Sequence, residues 1–100
     1  MVIAITDSND CDFAVQFDNA DDAEKVKSCM RKGLNAWYCA AHPDSYEGTD
    51  FTKEEIEGFY WEGYAEPTQI LLDRNGIASK VVDIEVDENY EVTADEVIYA

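Results

Sequence analysis

Residues 12–41 read DFAVQFDNADDAEKVKSCMRKGLNAWYCAA, and the hydrophobic period changes partway through them. Phe13, Val15 and Phe17 alternate with Ala14 and Gln16, the period of a half-buried strand. From Asp21 to Ala41 the spacing becomes three and four: Ala23, Val26, Met30, Leu34, Trp37 and Ala41. That pattern predicts an amphipathic helix of about six turns. Asp21, Asp22 and Glu24 fall in its first turn, where the helix dipole favours negative charge. A strand running straight into so long a helix rules out an all-α or all-β chain.

Upstream, VIAI (2–5) is a second short β-like run, so 2–17 reads as an antiparallel hairpin around the polar segment TDSNDC. Downstream, HPDSYEGTD (42–50) breaks the helix with Pro43 and Gly48. A second helix then opens with a capping box, Thr52 and Glu55, flanked by Phe51 and Ile56 at the staple positions. A third, short helix is expected to start at Pro67 and close at Asn75-Gly76, with Ile77 placed for the apolar contact that follows a glycine cap. Val82, Ile84 and Val86 alternate with Asp83, Glu85 and Asp87, a strand with one oily and one acidic face. DEN (87–89) could turn into a partner strand, YEV. The tail TADEVIYA (93–100) is open: Thr93 and Glu96 match a capping box, whereas VIY favours a strand. The expected order is β-β-α-α-α-β-β. It describes a single α+β domain over residues 1–100, an antiparallel sheet of about four strands with the helices packed on one face.

The totals narrow the function. One hundred residues, 46% apolar and 12% aromatic, suffice for one independent core. There are 23 acidic residues against 7 basic ones, a formal net charge of -16. Such a field repels nucleic acid and anionic membranes and attracts cations and basic protein surfaces, so direct nucleic-acid binding is not expected. The N-terminus has no basic region and only a brief apolar run, unlike a signal peptide, and no stretch is long enough to span a bilayer. Cys11, Cys29 and Cys39 are odd in number and lack framework spacing, which suits free thiols in a cytoplasmic setting.

Catalytic signatures are missing from the sequence. Cys39 and His42 lie one turn apart at a helix end and form the nearest approach to a reactive pair. Cys-x2-His alone is weak, and the negative end of the helix dipole disfavours a thiolate there. Cys39 falls beside Lys32 and Asn35, off the apolar stripe, and reads as a surface cysteine; Cys29 flanks the stripe and reads as a core residue. The two are ten residues apart, roughly 15 Å along the axis, too far for one zinc ion. Asp7, Asn9, Asp10 and Asp12, with Asp18 beyond, lack the glycine and terminal glutamate of a calcium loop and read as a polar turn. The reading is non-enzymatic, with no cofactor and no metal.

Binding features remain. FYWEGYAEP (59–67) carries four rings. On a helical wheel Ile56, Phe59, Tyr60 and Gly63 share one face with Tyr64 at its edge, while Trp61 projects between Glu54 and Glu57. Trp61 either covers a neighbouring loop or anchors a partner, together with Tyr46. The acids concentrate at the two ends of the chain: residues 1–24 hold seven with no Lys or Arg, and 81–100 another seven with none. Lys25, Lys27, Arg31 and Lys32 gather on the first helix.

In size, acidity and lack of catalytic motifs the chain resembles the small inhibitors carried by phages and mobile elements, the anti-CRISPR and anti-restriction proteins, some of which act as nucleic-acid mimics. The likeness is of bulk properties over the whole chain and carries no residue roles. It implies a protein that inhibits a nucleic-acid-handling partner, such as a nuclease, by occupying its basic groove. Glu54, Glu57, Asp83, Glu85, Asp87 and Glu88 would supply charge and Trp61 with Tyr46 the apolar anchors. The basic cluster on the first helix would confine mimicry to one side. The competing expectations are a cytoplasmic adaptor that binds through the aromatic patch, acidic only for solubility, and a thiol enzyme using Cys39 and His42.

Overall fold

The structure, a computed structural model, describes residues 1–6, 13–42, 51–62, 65–83 and 94–99; the side chains of 60–62 and 82–83 lie outside that description. Strands β1 (Val2–Thr6) and β2 (Phe13–Phe17) form the expected antiparallel hairpin. Ile3 pairs with Val15 and Ile5 with Phe13, which places the large apolar residues of both strands on one face. The alternate positions, Ala4 and Ala14, pair on the opposite face.

Two further strands complete the sheet, in the order β3-β2-β1-β4. β3 (Ser79–Asp83) runs antiparallel to β2, with Val81 opposite Val15. It begins three residues before the expected start at Val82. The local alternation of 82–87 marks an amphipathic stretch, but the pairing with Phe13–Phe17 sets where the strand begins. Residues 84–92, which include the rest of that expected strand, its turn and YEV, lie outside the described residues. β4 (Glu96–Tyr99) settles the ambiguous tail as strand.

The expected all-antiparallel sheet is corrected here, because β4 runs parallel to β1. The start of the pairing shows how. The Val2 N–H donates to Asp95 Oδ2 (2.7 Å) and the Asp95 N–H to the Val2 carbonyl (2.8 Å), and from there Ile3 pairs with Glu96 and onward to Thr6 with Tyr99. On its other side the beginning of β1 is tied to the end of β2, the Met1 ammonium donating to the Phe17 carbonyl at 2.7 Å.

The element order differs from the expected one by a 3-10 turn, Ala20–Asp22, whose cap Asn19 accepts the Asp21 N–H. Helix α1 (Ala23–Ala41) follows, then α2 (Lys53–Glu62) and α3 (Ala65–Arg74). Ile3, Ile5, Phe13, Val15 and Phe17 share one core with Val26, Met30 and Leu34 of α1, Ile56 and Phe59 of α2 and Leu71 and Leu72 of α3. Burial of this kind contributes about 1.5–3 kcal/mol per large side chain and dominates the stability of the fold.

α1 is buried more widely than its single apolar stripe implied. Cys29, Gly33, Ala36, Cys39 and Ala40 are covered as well, because α1 touches both other helices. The closest approach is at Gly33, where a Cβ would lie 2.8 Å from the Thr68 backbone. α3 starts at Ala65, so Pro67 is its third residue and not its first. Its missing N–H costs nothing there, since first-turn amides have no intrahelical partner. The end of α3 is as expected. Gly76 has φ 68, its N–H donates to Asp73 and the Ile77 N–H to Leu72, a Schellman closure with Ile77 buried.

Candidate partner-binding surface

The acidic face is best defined on α2, and its geometry starts from the cap. Thr52 Oγ1 accepts the Glu55 N–H at 3.2 Å, and a Glu55 carboxylate oxygen accepts the Thr52 N–H at 3.1 Å. This reciprocal pair is the expected capping box. Phe51 and Ile56 are both buried beside it, and Phe51 meets Phe59 edge to face with centroids 4.8 Å apart. The second Glu55 oxygen accepts from Arg74 of α3 at 2.7 Å, and the guanidinium lies 5.3 Å from the Phe51 ring centroid. The Thr52 N–H, and then Arg74, hold the Glu55 carboxyl below its ordinary value.

One of the three glutamates in this stretch is therefore structural. Glu54 and Glu57, to either side, are exposed and form no ion pair among the described residues. Helical register sets Trp61 in the last turn of α2 on the stripe of Glu54 and Glu57; its ring lies outside the described residues. Asp83 ends β3 opposite Phe13. Glu54, Glu57 and Trp61 thus share one helix, while Asp83 belongs to a separate element, α3 being in contact with both α2 and β3. Tyr46, Glu85, Asp87 and Glu88 lie outside the described residues, as do Asp7, Asn9, Asp10, Cys11 and Asp12.

Two acids elsewhere are engaged in the fold. Lys27, its side chain only 15% exposed, reaches Glu96 of β4 at 2.7 Å and Glu24 at 3.1 Å. Glu96, and then Glu24, raise the Lys27 ammonium above its ordinary value. Glu96 thus acts as an ion-pair partner of α1 and not as the third residue of a cap.

Cys39 is not a surface residue as expected. It is 4% exposed and belongs to the main core, because the side of α1 that carries it is covered by packing between helices. His42 is exposed past the end of the helix, its backbone N–H returning to the Tyr38 carbonyl. Thiol and imidazole therefore occupy different environments. Among the described residues no group of three or more His, Cys, Asp or Glu could hold a metal ion, and no helix is long and apolar enough to cross a membrane.

Two features escaped the sequence reading. Tyr99, in the last position of β4, is 74% exposed, where VIY gave no hint of which ring would be displayed. A cleft between α1 and α3 brings Lys25 and Lys32 together with Arg74 and Asn75. The seven-residue spacing of the two lysines was the only signal for it, and nothing in the sequence said that α3 would end against them. The chain matches no protein-family model, no curated protein and no solved structure.

Proposed function

We infer that this protein is a non-enzymatic inhibitor whose acidic face occupies the basic groove of a nucleic-acid-handling protein, in the manner of the anti-CRISPR and anti-restriction nucleic-acid mimics. The observation that carries the reading is the division of labour in α2. Glu55 is spent on the cap and on Arg74, whereas Glu54 and Glu57 face solvent without an ion pair among the described residues. On a chain of net charge -16 such carboxylates are available to a cationic surface. They would speed association through the long-range field, with the Trp61 stripe and Tyr46 slowing release. Asp83, Glu85, Asp87 and Glu88 complete the proposed face, and a cytoplasmic nuclease is the kind of partner it fits.

The adaptor reading has one observation in its favour, the exposed ring of Tyr99. The experiment separates the two. The tagged chain is used to capture partners from host lysate, and the retained protein is challenged with salt, with DNA or RNA, and with the doubly reversed Glu54→Lys, Glu57→Lys chain. A partner released by salt, displaced by nucleic acid and lost on charge reversal supports the mimic. A partner that survives salt and charge reversal but is lost on Tyr99→Ala or Trp61→Ala overturns it in favour of the adaptor.

A further inference from the structure

The cleft between α1 and α3 has an estimated volume near 390 Å³, at the lower end of the range typical of small-molecule sites. Its rim carries Lys25, Lys32 and Arg74; Ser28 adds a hydroxyl donor, Asn75 lies at its edge, and Cys29 and Leu71 form its apolar wall. Among the described residues its lining includes no carboxylate, on a chain in which acids outnumber bases 23 to 7. We propose that this cleft binds a compact anion bearing phosphoryl groups, such as a pyrophosphate unit, gripped between the two lysines of α1 and the C-terminal turn of α3.

The local structure prepares it. Lys25, Ser28, Cys29 and Lys32 stand at spacings of three, four and seven on one face of α1. Across from them Arg74 is held by Glu55 at 2.7 Å and by the Phe51 ring, so its position is fixed before any ligand arrives. The C-terminus of a helix ordinarily repels an anion through its bare carbonyls. Here three of the last four carbonyls accept hydrogen bonds: Leu71 from the backbone N–H and side-chain amide of Asn75, Leu72 from Ile77, Asp73 from Gly76. Asn75 Nδ2 also reaches Cys29 Sγ at 3.7 Å, which ties the two walls together. Compactness follows from the rest of the molecule. An extended polyanion would run from the cleft into the field of the surrounding acids, whereas one or two phosphoryl groups stay within reach of the three cations.

This site is independent of the inhibitory surface, and its test uses the isolated full chain. Inorganic pyrophosphate is titrated by calorimetry and by thermal melting, with sodium chloride at matched ionic strength, since screening alone stabilises so acidic a protein. Saturable binding with a rise in Tm beyond the chloride control, and amide shifts centred on residues 25–32 and 71–75, are expected. Lys25→Gln and Lys32→Gln, both at exposed positions, should each weaken binding about tenfold or more. Arg31→Gln, exposed on the same helix but outside the cleft, should leave it unchanged. A Tm rise no greater than that in chloride, or an equal loss in the Arg31 variant, would reduce the effect to diffuse attraction and overturn the site. Citrate binding where pyrophosphate does not would overturn the phosphoryl assignment.

Discussion

Gly33 of α1 lies against Thr68 of α3 so closely that a methyl group on Gly33 would stand 2.8 Å from the Thr68 backbone, with the Thr68 hydroxyl in the same space. Thr68 is fully buried, so it has no room to withdraw. The contact sets how near α1 and α3 can come at this point.

Gly33→Ala should therefore destabilise the protein, despite alanine's helix propensity advantage of about 1 kcal/mol. Overpacking of this kind costs about 1–3 kcal/mol, and the net loss should appear as a lower urea midpoint. Gly58→Ala supplies the contrast. A Cβ there meets nothing within 4 Å, on an exposed face of α2, so that variant should gain about 0.5–1 kcal/mol.

The capping box makes a prediction in acid. The folded pKa of Glu55 is lowered, so its stabilising contribution is complete above the unfolded value near 4.5 and disappears as pH falls through the folded one. Glu55→Gln should thus be less stable than the parent at neutral pH, and the gap in urea midpoints should narrow on acidification. Thr52→Ala, which removes the other half of the box, should cost about 1 kcal/mol. A gap for Glu55→Gln that does not change between pH 7 and pH 3 would exclude the carboxylate as its source.

Lys27 gives the opposite sign. Its folded pKa is raised by Glu96 and Glu24, so its contribution is complete below the ordinary lysine value of 10.5 and is lost as pH rises through the folded value. Lys27→Gln should lower the thermal midpoint at neutral pH, and the difference from the parent should shrink in strong alkali. Because Glu96 belongs to β4, the amides of 96–99 should exchange faster in that variant than those of β2.

Charge reversal at Glu54 and Glu57 should separate binding from folding. Both are exposed and without ion pairs among the described residues, so Glu54→Lys, Glu57→Lys should fold with a thermal midpoint close to that of the parent, relief of self-repulsion offsetting the lost dipole contribution of Glu54 in the first turn. Its association rate with the partner should fall and lose its steep salt dependence, read by stopped-flow mixing at two ionic strengths. A large drop in the midpoint instead would show that the two carboxylates serve the fold.

The local grammar of the chain was legible wherever one segment decides its own structure. The Thr52–Glu55 box, the Asn75-Gly76 closure, the alternation of Phe13, Val15 and Phe17 and the helical period up to Ala41 all reappear in three dimensions. What failed was set by partners distant in sequence. The direction of β4 is set by its pairing with β1, Ile3 beside Glu96 through Thr6 beside Tyr99, and no period within VIY encodes it. The start of β3 depends on β2, and its Val81 N–H is taken by Gln69 of α3 at 3.1 Å. Cys39 was misplaced because a wheel assigns one buried face, whereas α1 is covered by a sheet and two helices. Of the candidate site, the capping role of Glu55 followed from its offset to Thr52 and the exposure of Glu54 and Glu57 from the helical register, while the Lys25–Lys32–Arg74 cleft required knowing that α1 and α3 are neighbours.

The parallel pairing of β1 with β4 also has a mechanical meaning. β1 leaves the N-terminus and β4 runs toward the C-terminus in the same direction, side by side. A force that draws the two ends of the chain apart pulls these strands past each other lengthwise, so the evenly spaced hydrogen bonds between them bear the load together instead of opening one after another. Pulled by its ends, the sheet resists in shear along the seam between β1 and β4.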